Sequence, residues 1–155
     1  MPKTLVKVRN SKIHGRGVFA ACDIPKGTRI IEYRGKRLSH AEADVIYGGS
    51  VESGHTFLFT LNDQYVIDAN QRGNAARWIN HGCAPNCESV CEEDDSGRPE
   101  RERVFIDAIR DIKAGDELLY SYFITLEQKH TKRLQRLWQC LCGARRCTGT
   151  MLEIN

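Results

Sequence analysis

Two stretches of this sequence concentrate groups able to do chemistry. Arg77-Trp78-Ile79-Asn80-His81-Gly82-Cys83-Ala84-Pro85-Asn86-Cys87 sets two amides, an imidazole, two thiols and a guanidinium within eleven positions. Gly82 and Pro85 bend its backbone, so regular helix or strand is not expected. Polar groups at this density either line a site or satisfy a well-bonded turn. The second stretch, Cys140-Leu141-Cys142-Gly143-Ala144-Arg145-Arg146-Cys147, places three thiols within eight residues. That suits one tetrahedral zinc but leaves it one ligand short, and Cys83, Cys87 and Cys91 are the candidates for the fourth. Arg145 and Arg146 beside the thiols are expected to favour the thiolate form.

The composition bounds what these groups can serve. At 155 residues, 41% hydrophobic and 28% charged, the chain has the size and balance of one globular domain. Its net charge of +3 is too small to imply nucleic-acid binding, and none is expected. The N-terminus lacks the apolar run of a signal peptide and no stretch approaches a membrane span, so an intracellular protein with no membrane partner is expected. Seven cysteines is an odd number, and in a reducing compartment closely spaced thiols read as metal ligands before disulfides.

The elements that must position these groups are short. Leu5–Val8 reads as a strand, followed by a glycine turn around Gly15-Arg16-Gly17 and a second strand through Ala20. Arg29–Tyr33 is a half-buried strand. Ser39, with Glu42 three residues on, starts a brief helix through a capping box. Residues 47–54 are loop by composition. Phe57–Leu61 and Tyr65–Asp68 form a hairpin about Asn62-Asp63. Strands follow at Cys87–Cys91 and Arg103–Ile109, with a solvated acidic tip between them, and then at Leu118–Tyr122. A longer helix is predicted from about Thr125, with Gln128 at its capping-box position. Leu126, Leu134, Leu137 and Trp138 would form its apolar face, and Lys129, His130, Lys132, Arg133 and Arg136 a solvated basic one. Many short strands with few helices predict a mainly β, or β-rich α+β, architecture of small sheets.

Taken in order, the motifs resemble a SET domain followed by its post-SET tail. They are His14-Gly15-Arg16-Gly17-Val18-Phe19, Glu32-Tyr33-Arg34-Gly35, Gly73 through Cys87, Gly115-Asp116-Glu117-Leu118-Leu119-Tyr120-Ser121-Tyr122, and the Cys140–Cys147 cluster. The resemblance covers almost the whole chain, with a SET domain at 1–124 and a helix plus zinc motif at 125–155 forming one compact unit. It implies several small β-sheets with a knot-like C-terminal segment. It also implies a protein-lysine N-methyltransferase that uses S-adenosylmethionine and releases S-adenosylhomocysteine.

Carried over by position, the resemblance gives expected roles. His14, Gly15, Arg16 and Gly17 would hold the amino-acid end of the cofactor, and Asn80 and His81 its other side, with Phe57 and Arg77 also in the cofactor site. Cys83 would complete one structural zinc with Cys140, Cys142 and Cys147, folding the tail over the active site. Tyr122 matches the catalytic tyrosine, Tyr33 a lysine-channel tyrosine, and Tyr120 the position that limits methyl number, here to one or two. Without the resemblance, all three tyrosines would read as core residues on strands.

Three positions depart from the pattern: Ser121 stands where aspartate is common, Gly82 where serine is commoner, and Phe57 where a tyrosine often helps to form the site. With no cysteine-rich module ahead of it, the chain resembles compact stand-alone bacterial and viral members. The implied partner is a lysine-containing protein or peptide, histone or other. The expected location is cytoplasmic if the source is bacterial and nuclear if the substrate is a histone. Two rival readings are a SET-like binding module without turnover and a zinc-stabilised nucleic-acid binder using the Lys129–Arg136 face and the Arg145-Arg146 knuckle.

Overall fold

In a computed structural model describing residues 4–48, 57–124, 126 and 128–153, the strands form four small sheets. β1 (Val6–Asn10) pairs antiparallel with β2 (Arg16–Ala20). β3 (Arg29–Tyr33) and β8 (Cys87–Glu92) flank β9 (Arg103–Ala108), and β4 (Lys36–Ser39) and β5 (Leu58–Thr60) flank β6 (Tyr65–Asp68). The fourth sheet is the parallel pair β7 (Asn80–His81) and β10 (Leu119–Tyr120).

The sequence explains which strands are central. β9 buries Val104, Phe105 and Ile106 in succession, and β6 buries Val66, Ile67 and Asp68. A strand covered on both faces loses the apolar–polar alternation of a half-exposed one. The main core joins these strands to Val18, Ile24, Ile79, Ile112 and Leu118. Asp68 is fully buried, yet it accepts hydrogen bonds from Tyr47 Oη at 2.8 Å, Asn70 N at 2.9 Å and Asn70 Nδ2 at 3.0 Å, which offset its desolvation.

The short helix α1 (His40–Tyr47) starts where the capping residues place it, with Ser39 Oγ accepting from Glu42 N at 3.1 Å. Residues 49–56, most of the expected loop, lie outside the described residues. The late helix is different: α2 spans only Lys132–Leu137 and is capped by Thr131, whose Oγ1 accepts from Leu134 N at 3.2 Å. His130 is the reason. Far from lying on an exposed basic face, it is 6% exposed, accepts from Leu126 N through Nε2 at 3.0 Å and donates from Nδ1 to Glu153 O at 2.7 Å. That cross-link holds the chain before 131 in an irregular path, and Ile124 bridges Leu152 instead of entering a helix. Of the expected start, Thr125 and Glu127 lie outside the described residues. Leu134, Trp138 and Leu152 give the tail a small core of its own.

Asn86 fixes the crossing of the two halves. Its Nδ2 donates to Glu117 O at 2.9 Å and its Oδ1 accepts from Leu119 N at 2.9 Å, while its own N donates to Leu119 O at 3.2 Å. Together with the parallel β7–β10 pairing, these bonds seat residues 117–120 against the 80–86 loop, the knot-like arrangement the motifs imply. Gly82 fits the same crossing: a Cβ there would lie 2.8 Å from Leu119 Cβ, so a serine would require this leucine to shift.

Candidate functional site

A cleft with about 740 Å³ of space, its mouth included, opens where the central stretch meets both chain ends. Ile13–Arg16 form one bank and Trp138–Leu141 with Met151 the other, while Phe57, Arg77, Trp78, Asn80, His81 and Tyr122 close the back. Seven of the eight residues expected at the cofactor converge here; Gly17 does not. Its missing Cβ instead leaves room for the Glu117 carboxylate, whose Oε1 would lie 2.2 Å from such an atom. Gly15, at φ +41°, makes the turn.

Glu117, within the Gly115–Tyr122 motif, has a role that the sequence does not announce. It accepts from Ser11 Oγ at 2.9 and 3.1 Å and from Asn80 Nδ2 at 2.9 Å. Asn80 Nδ2 also lies 3.2 Å from His14 O and 3.0 Å from Arg16 O. The Ser11–Arg16 turn is therefore pinned to the knot by one amide and one carboxylate. Buried backbone carbonyls paired in this way hold a preformed wall. Over the back of the cleft Arg77 lies 4.6 Å and Arg16 5.6 Å from the Trp78 ring, and Phe57 packs edge-on to Trp78 at 5.1 Å. The phenyl ring at 57 thus retains a packing role without the hydroxyl.

His81 is the hinge between cleft and tyrosines. Its Nδ1 accepts from Tyr122 N at 3.0 Å, so the ring is neutral with its proton on Nε2, and burial lowers its pKa in agreement. The Tyr122 hydroxyl donates to Ile79 O. Behind it, Tyr120 lies 5.0 Å from Tyr122, Phe59 6.4 Å from Tyr120, and Tyr33 5.1 Å from Phe59. Tyr33 Oη donates to Phe57 O at 3.2 Å, whereas the Tyr120 hydroxyl has no hydrogen-bond partner among the described residues. Burial pushes the pKa of all three phenols well above the usual value, so they remain uncharged donors and acceptors at working pH. Tyr120 and Tyr33 do not line the cleft; they form an aromatic wall that meets it at Tyr122.

The tail is joined to the core by thiols. The Sγ atoms of Cys83, Cys140, Cys142 and Cys147 lie within 4.8 Å of one another, with Cys83 3.8 Å from both Cys140 and Cys147. A tetrahedron with metal–sulfur bonds of about 2.3 Å has edges of about 3.8 Å, so the donor set fits a zinc-sized ion. Cys87 is buried elsewhere, its thiol pushed up to about 12 mainly by burial, and Cys91 sits 3.8 Å from Leu61 O. Burial opposes ionisation of Cys142, but the N–H groups of Cys83 and Ala144 and the neighbouring thiols outweigh it and bring that thiol down to about 7. Arg145 and Arg146, expected from sequence to favour the thiolate, are exposed and are not among the main causes of that shift. Backbone N–H groups close to sulfur act where side chains pointing into water do not.

A second, more open groove is lined by Gly82, Cys83, Ser121, Phe123 and residues of the 148–153 segment. Ser121, the departure from aspartate, faces this groove and not the cleft. Trp138, Leu141 and Met151 line the cleft with no signal in the sequence, because apolar side chains in a tail carry no periodic sign of which cavity they will cover.

Comparison with known proteins agrees with this geometry. The sequence profile of the SET domain matches residues 15–123. The chain is 37% identical over 149 residues, 95% of its length, to the histone-lysine N-methyltransferase, H3 lysine-4 specific, of Chaetomium globosum, and covers 13% of that protein. It is 38% identical over 147 residues, 94% of its length, to the histone-lysine N-methyltransferase trithorax of Drosophila virilis, covering 4% of it. A chain in the structure of a humanized mutant of the Chaetomium thermophilum Polycomb Repressive Complex 2, bound to an inhibitor, superposes with a TM-score of 0.67 at 34% identity. That match covers 78% of this chain and 15% of the other. The chain thus spans a small fraction of these relatives. Among the described residues no helix is long and apolar enough to cross a membrane.

Proposed function

The chain belongs to the SET-domain family, and from that premise we propose that it is a protein-lysine N-methyltransferase using S-adenosylmethionine, with one structural zinc held by Cys83, Cys140, Cys142 and Cys147. The observation that carries this reading is that the cleft and the aromatic wall meet at one residue, Tyr122. A cofactor in the cleft and a lysine reaching through the aromatic wall would approach each other there.

The cofactor supplies a methyl group already activated on a sulfonium. What remains for the protein is to bind, align, exclude water and keep the amine neutral. Polar carbonyls and N–H groups at His14–Arg16, with Arg16 and Arg77, suit the charged amino-acid end. Asn80 and His81 border the other side, and Trp78 and Trp138 offer aromatic faces. A free lysine with a pKa of about 10.4 is neutral in only about one molecule per thousand at pH 7.4. Burial between Tyr33, Phe59, Tyr120 and Tyr122 would disfavour the ammonium form, and the neutral tyrosine hydroxyls would orient the amine without adding charge. The Tyr120 hydroxyl, which has no hydrogen-bond partner among the described residues, would be the group to bond an amine or a water beside it; occupying that space supports transfer of one or two methyl groups rather than three.

The substrate class is a lysine-bearing protein segment, and histone H3 is the first to test because several relatives are named for its lysine 4. Action on histones would place the protein in the nucleus. The test is transfer of labelled methyl to core histones and to a whole-cell extract, with Asn80→Ala and Tyr122→Phe as controls. Label on lysine that both variants lose supports the reading; cofactor binding without any label overturns it in favour of a binding module.

A further inference from the structure

The small net charge conceals a strong separation of charge. Residues 1–22 carry five Lys or Arg and no Asp or Glu, and residues 128–152 carry six and none. The rest of the chain holds 12 basic against all 20 acidic side chains, a net charge of −8. The fold brings the two basic segments together, since residues 13–16 and 138–141 are the opposing banks of the cleft. Lys7, Arg9 and Lys12 are exposed on or beside β1 on one bank; Lys132, Arg136 and Arg146 are exposed on the tail that forms the other. None of these six forms an ion pair among the described residues. The ion pairs of the described residues lie instead on the β3–β9–β8 sheet, and the acidic tip after β8 packs away from the cleft, where Asn62 and Arg37 donate to Pro99 O and Glu102 O.

We propose that the two basic banks form one surface that binds the phosphate backbone of a nucleic-acid duplex beside the cleft. Unpaired cations of one sign, clustered on one face, are the electrostatic footprint of such a partner. A single strand is disfavoured because it is gripped by exposed aromatic rings, and among the described residues the large hydrophobic side chains exposed in these segments are Val8 and Leu141. A membrane surface is disfavoured because an interfacial helix presents an apolar face, whereas Leu134 and Trp138 of the tail are buried in its own core. The expectation of no nucleic-acid contact came from net charge, which averages the two poles away. This binding does not depend on methyl transfer.

The test is fluorescence anisotropy of a labelled 20-base-pair DNA duplex titrated with the zinc-loaded chain, without cofactor, from 50 to 200 mM salt. Neutralising about four to six phosphates gives a log–log salt slope of about −3.6 to −5.4, a loss of affinity of roughly 10²- to 10³-fold over that range. Lys7→Glu with Arg9→Glu, and separately Lys132→Glu with Arg136→Glu, should each weaken binding at least tenfold and flatten the slope. Melting temperature confirms that each pair folds, and methyl transfer to a free peptide, if present in the parent, should persist in both. The proposal is overturned by a slope near zero, by loss confined to one bank, or by equal binding to poly-glutamate or to vesicles containing phosphatidylserine. Absence of methyl transfer with intact duplex binding would overturn the enzymatic reading alone.

Discussion

The two banks of the cleft are built on different principles. The core bank, Ile13–Arg16, is held by Asn80 and by the Ser11–Glu117 pair, hydrogen bonds rooted in a knot of buried backbone. The tail bank, Trp138–Leu141, rests on a core of three buried residues and on four thiols, one of which belongs to the main body. Three buried side chains, with the partly buried Ile124, Leu126, Leu137 and Met151, make a small core for about thirty residues, and on the proposed zinc reading metal binding would add to it. One bank is tied by side-chain hydrogen bonds; the other would be completed by the proposed metal.

Breaking the tail bank should therefore have the largest effect. Cys142→Ser is expected to release the metal and weaken cofactor binding and turnover together by more than about 10²-fold. Metal analysis beside calorimetry checks it, and an active, metal-free variant would erase the distinction between the banks. Tyr122→Phe touches neither bank but the point where cleft and aromatic wall meet. It should cut kcat about 10²-fold with the cofactor Kd changed less than about threefold, because misplacing the reacting groups costs rate and not affinity. Equal losses in both would move Tyr122 into the cofactor bank.

The pH profile separates the wall from the substrate. The fraction of neutral lysine rises about tenfold per pH unit below its pKa. Burial raises the tyrosine pKa values, so the neutral phenols persist upward through the same range and add no falling limb. Single-turnover rates should climb from pH 7 to 9; a decline in a folded enzyme would show that a phenol ionises. The smallest effect belongs to the core bank. Ser11→Ala removes its bond to Glu117 but leaves Asn80 in place, and should raise the cofactor Kd about three- to tenfold, roughly 1 kcal/mol. Metal content should be unchanged. A loss as large as that of Cys142→Ser would mean that the core bank is not preformed.

Much of this arrangement is visible in one dimension. Ser39 announces α1 because a cap acts within three residues, and the strand at 103–108 is readable because three consecutive buried side chains need no partner to be recognised as apolar. The order of motifs carries the family. The late helix misleads because its apolar spacing is intact while His130, bonded to Leu126 and Glu153, prevents the turn before it. Glu117 and Asn86 are polar residues in polar company, and nothing local says that they tie segments 37 and 31 positions away.

What the sequence determined by itself is the set of available chemical groups: thiols, one imidazole and two amides at the central stretch, tyrosines on short strands, and basic residues at both ends. Local spacing selects turns, caps and strands because those interactions span a few residues. Tertiary structure decided the pairings. Cys83 joins the tail thiols while Cys87 turns into the core, Gly17 yields its space to Glu117 and leaves the cleft wall, and residues 13–16 and 138–141, from two distant basic segments, line one cleft. Each of these outcomes is a distance between residues far apart in the chain, and only packing sets such a distance.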